Sequence, residues 1–354
     1  MRKKKRKKKK RLNKLDPLLT SSYDFKLPEE LIATHPVEPR DSARLLVYER
    51  ATDMLTHTYF YELEKFIPKD AALIFNDTKV IKARLYGTKE SGGKVELLIN
   101  RPLNAVETNV YIRGRVKPGT KILFDEGLYA KIIRLHEDGS RDVLFFTEGK
   151  ELRFEDLLPI IEKIGHIPLP PYMQREDAKE DEKDYQSVFA RNEGAVAAPT
   201  ASLHFTQEQH QRVCRTFKHA FVTLHVGAGT FKPVEEEEIL KHPMHSEYYD
   251  ISEEALKLLD SDTPILCVGT TSARTVEYYV QHGKKARGEA NLFLHPNNPP
   301  QRVNYLLTNF HLPKSTLLML VASFVGVEKA LGLYEEAIKE HYRFYSYGDA
   351  MLIL

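Results

Sequence analysis

The 354-residue sequence has no tryptophan and only two cysteines, Cys214 and Cys267. Two such distant thiols give neither a disulfide framework nor a metal-ligand spacing, and they fit a reducing compartment. The longest apolar run, 316–327, falls short of the roughly 20 residues that a bilayer requires. The basic start is not followed by the apolar stretch of a secretory signal. A cytoplasmic, monomeric protein with no membrane contact is therefore expected. Charge of one sign is also scarce overall, since 52 Lys and Arg oppose 50 Asp and Glu. That balance hides an asymmetry. Residues 2–11 are all Lys or Arg, and Lys14 adds an eleventh cation, so the remainder carries 41 basic against 50 acidic residues. Residues 1–14 read either as a disordered arm that attracts RNA or as an extension with no part in folding.

What is present falls into two textures. Short strands are expected at 72–76, 80–89, 94–101, 109–114, 121–125, 129–137 and 141–147. Turn signals separate them at Ser91-Gly92-Gly93, Pro118-Gly119, Asp125-Glu126-Gly127 and Glu137-Asp138-Gly139. Seven short strands with no helical period predict a small antiparallel barrel or sandwich over 71–150. From Thr206 onward strands alternate with helices, which implies a mostly parallel sheet covered by helices. Thr206 with Gln209 forms a capping box. Ser252 and Ser315 cap later helices, Ser272 is expected to start another, and the last helix carries an apolar stripe. The chain thus reads as an α/β domain, 15–70 plus 151–354, with a β-barrel inserted at 71–150.

Four segments share a strand that runs into small and polar residues, where an open α/β sheet binds ligands. In "GAVAAPTASLHFT" (194–206), small residues allow close approach, and His204 is titratable. In "LHVGAGTFKPV" (224–234), Gly227 and Gly229 follow a strand. The third glycine of a dinucleotide loop is missing, so the stretch reads as a flat ledge against a flat ligand. In "VGTTSARTVE" (268–277), Thr270, Thr271 and Arg274 stand at a helix start suited to a carboxylate or phosphate. In "LLTNFHLPKST" (306–316), Asn309, His311 and Lys314 crowd one loop. No glycine run precedes its Lys-Ser-Thr, which argues against a triphosphate site. Two smaller features accompany them. "HPMHSEYY" (242–249) places His242, His245 and Glu247 close in sequence, but no HExxH or cysteine pair supports a zinc site. "YRFYSYGDAMLI" (342–353) reads as a docked terminal strand or a base-stacking wall. These four loops predict an enzyme active site between Gly194 and Ser315.

Taken together, these segments resemble the S-adenosylmethionine:tRNA ribosyltransferase-isomerases of queuosine biosynthesis. The resemblance also runs through "YDFKLPEELIATHPVEPRDSARLL" and "LIFNDTKVIKARLYG", and it covers about 23–354. Ser202 departs from the family pattern, which has glycine there, and Ala273 stands in place of valine. The resemblance implies transfer and isomerisation of the ribosyl group of S-adenosylmethionine onto 7-aminomethyl-7-deazaguanine at the tRNA wobble position. The product is epoxyqueuosine in tRNA, with adenine and methionine released. S-adenosylmethionine is then a consumed co-substrate, and no cofactor or metal is implied. Under this reading His204 or His311 is the general base. Gly227 and Gly229 face adenine, and Thr270, Thr271, Arg274 and Asn309 bind the rest of S-adenosylmethionine. Lys79, Lys82, Arg84, Lys314 and Arg343 meet tRNA phosphates. A non-catalytic RNA-binding module and a methyltransferase remain the competing readings.

Overall fold

The computed structural model describes residues 15–231 and 234–354; the basic segment 1–14 lies outside the described residues. A nine-stranded sheet forms the larger body. From edge to edge its strands are Arg287–Ala290, Glu247–Ile251, Lys218–Leu224, Ala72–Asn76, Ile265–Val268, Val303–Asn309, Ala350–Ile353, Arg44–Glu49 and Met54–Tyr59. Parallel pairing joins the four central strands, from Lys218–Leu224 to Val303–Asn309. Antiparallel strands flank that block on both sides, so the sheet is mixed rather than uniformly parallel.

The central strands are mostly apolar, because both of their faces are covered over most of their length. Alternation divides their side chains between two cores. Ile74, Cys267 and Leu306 enter the core beneath the helices Thr270–Gln281, Thr316–Val325 and Val327–Lys339. Leu73, Phe75, Leu266, Val268 and Leu307 enter the opposite core, with Phe60, Phe205 and Val213. Phe75 is fully buried, so truncating it to alanine should cost about 3–5 kcal/mol.

This placement revises the expectation for 72–76. Ala72–Asn76 is the central strand of the large sheet, not a barrel strand, and all five of its residues are buried. A strand buried on both faces shows no alternation, so its sequence looks the same in either setting. The expected strand 80–89 is also broken. Thr78–Val80 pairs in parallel with Asn192–Ala195, and the barrel begins at Arg84–Lys89.

The barrel is closed by six antiparallel strands: Arg84–Lys89, Lys94–Pro102, Glu107–Arg113, Lys121–Leu123, Leu128–Leu135 and Ser140–Thr147. Ser140–Thr147 completes the ring by pairing with both Glu107–Arg113 and Leu128–Leu135. Inward residues such as Leu97, Val110, Ile132 and Phe145 fill it, as expected for a small barrel with no lumen. The helix Phe154–Ile164 adds Leu157 and Ile161 to the same core. Sequence reading missed this helix, because Pro159 lies inside it and proline normally interrupts a helix.

The caps at Thr206, Ser252 and Ser315 each accept a backbone N–H as expected. Ser272 does not start its helix. The helix begins at Thr270 after Gly269, and the Ser272 hydroxyl donates to the Val268 carbonyl. The last residues form a docked strand, inserted between Val303–Asn309 and Arg44–Glu49. Among the described residues, no single helix is long and apolar enough to cross a membrane.

Candidate active site

The four central parallel strands end at one edge of the sheet. The antiparallel strands Glu247–Ile251 and Ala350–Ile353 start at that same edge. Loops that follow Lys218–Leu224, Ile265–Val268 and Val303–Asn309, and the segment that precedes Ala350–Ile353, line a cavity of about 470 Å³ there, within the usual size range for a small-molecule site.

All four predicted segments contribute to this cavity. Ala197–Ala201 come from the first, Val226, Thr230 and Val234 from the second, Thr270, Thr271 and Arg274 from the third, and Asn309, His311 and Lys314 from the fourth. Gly269 makes the third loop possible. Its φ of +93° lies in the region that favours glycine, and its N–H donates to the Leu307 carbonyl, 2.7 Å away.

Two polar groups in the wall lack partners. The Thr271 hydroxyl is buried without a hydrogen bond, and so are Nε and Nη2 of Arg274. A buried unpaired donor is costly, so such groups at a helix N-terminus mark a place for an anion. Nη1 of Arg274 is already engaged, donating to Glu247 at 2.6 Å. The edge that remains open, Nε with Nη2, is the fork that grips a carboxylate through two parallel hydrogen bonds.

The two histidines proposed as bases differ in placement. His311 lines the cavity. Its Nε2 lies 2.8 Å from the Thr308 hydroxyl, and burial pushes its pKa down to about 3. His204 is not in the cavity wall; it packs against the Phe60 ring. Burial pushes its pKa down to about 4. Asn309 uses its amide to donate to the Tyr345 and Ser346 carbonyls, so its Oδ1 accepts from His204 Nε2 at 3.2 Å. His204 therefore touches the site through Asn309, and Asn309 fastens the C-terminal segment.

That segment, 342–353, docks as a strand and also places Tyr345 and Ser346 in the cavity wall. Tyr345 stacks on Tyr172, with ring centroids 4.2 Å apart, and both rings line the cavity with Pro170, Pro171 and Tyr185. Tyr345 has φ +73°, a strained conformation for a non-glycine residue. Its N–H donates to Phe310 and its carbonyl accepts from Asn309. The sequence signal for Tyr172 is the proline pair Pro170-Pro171 before it, which restricts the backbone that carries the ring.

Gly227 and Gly229 do not line this cavity. They line a second cavity of about 990 Å³ between the sheet and the barrel, with Asn100, Arg134, Glu247 and Tyr248. Their turn is tightly packed, since a Cβ on Gly229 would meet the His245 ring at 2.4 Å.

The five basic residues proposed for phosphate contact all have internal partners. Lys79 pairs with Glu193, and Lys82 with Glu162 and Glu182. Arg84 pairs with Glu96 and donates to the Leu169 carbonyl. Lys314 pairs with Asp24, while Arg343 donates to the His35 and Tyr347 carbonyls. Lys82 and Arg84 are largely buried in these pairs. Lys314 also lines the smaller cavity.

A loop-built cavity at the carboxyl ends of parallel strands, with an open guanidinium fork and an aromatic shelf, has the build of a small-molecule site suited to an anionic group and a flat ring. Comparison with known proteins gives the particular family. The model of the family described as "Queuosine biosynthesis protein" matches residues 20–353. A protein of Sulfurimonas denitrificans, named S-adenosylmethionine:tRNA ribosyltransferase-isomerase, is 71% identical over 95% of this chain and 98% of its own length. A protein of the same name from Nitratiruptor is 58% identical over 96% of this chain and 100% of its own. The crystal structure of S-adenosylmethionine tRNA ribosyltransferase from Thermotoga maritima is 32% identical with a TM-score of 0.52. It is matched over 94% of this chain and 100% of that one. The chain belongs to the S-adenosylmethionine:tRNA ribosyltransferase-isomerase family of queuosine biosynthesis, and it is a transferase.

Proposed function

We propose that the smaller cavity binds S-adenosylmethionine, and that the enzyme transfers and isomerises its ribosyl group onto 7-aminomethyl-7-deazaguanine at the wobble position of tRNA. The products are epoxyqueuosine in tRNA, adenine and methionine. The observation that carries this reading is the pair of unsatisfied groups, the Arg274 fork and the Thr271 hydroxyl, in one cavity with an aromatic shelf. The methionine carboxylate matches the fork and the helix N-terminus at Thr270 and Thr271. Adenine matches the Tyr172–Tyr345 shelf rather than the Gly227–Gly229 turn, which faces the other cavity.

The chemistry needs a base, because the sulfonium acidifies the adjacent 5′ carbon of the ribose. His311 is the candidate favoured by its position in the wall. Burial keeps its imidazole unprotonated at neutral pH, the state from which a base must start, while lowering its proton affinity. His204 is assigned a positioning part through Asn309. No step in this scheme calls for a metal or other cofactor. The tRNA must present its base unstacked. Lys79 and Lys314, which are more exposed than Lys82 and Arg84, remain the stronger proposals for phosphate contact, and Arg343 is retained with them.

Incubation with S-adenosylmethionine and tRNA carrying the precursor base tests the assignment. Adenine release supports it. Formation of S-adenosylhomocysteine would instead indicate a methyltransferase, and RNA binding with neither product would indicate a binding module.

A further inference from the structure

We infer that Glu247 is a positioning residue that aims Arg274 at the co-substrate and fixes the turn separating the two cavities. This rests on the reading of the smaller cavity as the S-adenosylmethionine site. Glu247 is the first residue of an edge-side strand and is almost fully buried. One carboxylate oxygen accepts from Arg274 Nη1 at 2.6 Å, and the other accepts from the Gly227 N–H at 3.2 Å. Arg274 lines the smaller cavity and Glu247 the larger one, so this ion pair spans the wall between them.

The geometry leaves a directed remainder. Guanidinium carries five N–H donors in a rigid plane. With Nη1 held by Glu247, the plane cannot rotate freely, and Nε and Nη2 stay buried and unpartnered. Glu247 also offsets the buried positive charge, which alone would be strongly disfavoured. The neighbouring Ala228 N–H donates to Asn100 Oδ1, 2.9 Å away on a barrel strand. Two successive amides of the turn are therefore held by side-chain oxygens, one from the sheet and one from the barrel.

The test is a double-variant cycle on the full chain, reading the dissociation constant of S-adenosylmethionine by calorimetry. Glu247→Gln keeps an acceptor for Arg274 but sets an amide donor against the Gly227 N–H. It should weaken binding roughly tenfold, the size of one lost supporting hydrogen bond. Glu247→Asp withdraws the carboxylate by about 1.5 Å and should weaken binding several-fold, which keeps the test decisive if the glutamine variant folds poorly. Both effects should vanish in an Arg274→Ala background. Effects that simply multiply with Arg274→Ala, or unchanged affinity in both Glu247 variants, overturn the inference. If Arg274→Ala itself leaves affinity unchanged, the reading of the cavity fails instead.

Discussion

The two cavities on either side of the Gly227 turn are built differently. The smaller one has polar atoms left without partners, at Thr271 and Arg274, beside an aromatic shelf. The larger one is rimmed by charges that already have partners: Arg101 with Glu289, and Arg134 with the buried Asp142. Unsatisfied buried groups are preorganised for one small ligand, because their desolvation has already occurred before the ligand arrives. Paired, partly exposed charges suit a partner that exchanges ion pairs over a broad surface, as nucleic acid does. Lys82 and Arg84 are cations by sequence, but their pairs with Glu182 and Glu96 commit them to the fold.

The largest expected effect breaks the smaller cavity. Arg274→Ala removes the fork and strands the buried Glu247 carboxylate. Affinity for S-adenosylmethionine should fall by roughly 100-fold, equivalent to about 3 kcal/mol, as read by calorimetry. His311→Ala should lower single-turnover rate by roughly 100-fold or more with little change in that affinity. His204→Ala should act mainly on stability, because His204 reaches the cavity only through Asn309. Equal rate losses in both histidine variants would remove this distinction.

A third effect is pH dependence. His204 and His311 have folded-state pKa values near 4 and 3, below the ordinary value of 6.5. Between those values and 6.5, the unfolded chain binds protons that the folded chain refuses. Stability is therefore intact above about pH 6.5 and declines as pH falls toward 4. Each histidine contributes a slope of up to about 1.4 kcal/mol per pH unit. Urea unfolding of the parent chain and of His204→Gln, compared near pH 7 and near pH 5, should show a shallower decline in the variant. The smallest effect belongs to the charged surface. Lys79 and Glu193 are both well exposed, so Lys79→Ala should cost no more than about 1 kcal/mol of stability. If Lys79 contacts a phosphate, the same variant lowers the salt slope of tRNA binding by about one.

Much of the smaller cavity was legible because its makers are local. Small residues after strands, and hydroxyls at a helix start, carry their meaning within a few positions. The barrel was legible from its closely spaced turns, and the caps at Thr206, Ser252 and Ser315 from single side chains. What escaped depends on distant contacts. Ala72–Asn76 has a buried, apolar pattern that fits either body, and only its pairing with Lys218–Leu224 and Ile265–Val268 decides. Tyr172 and Tyr345 lie far apart in sequence, and the positive φ of Tyr345 is imposed by its bonds to Phe310 and Asn309. The Gly227–Gly229 turn was recognised as special, but its side of the wall is set by Glu247 and by Asn100 of the barrel.

The most direct measurement is a crystal structure of the enzyme with S-adenosylmethionine bound. The account predicts the methionine carboxylate on Nε and Nη2 of Arg274, adenine against the Tyr172–Tyr345 shelf, and His311 facing the ribose. S-adenosylmethionine seated instead in the barrel-side cavity, with the Arg274 fork still empty, would contradict it.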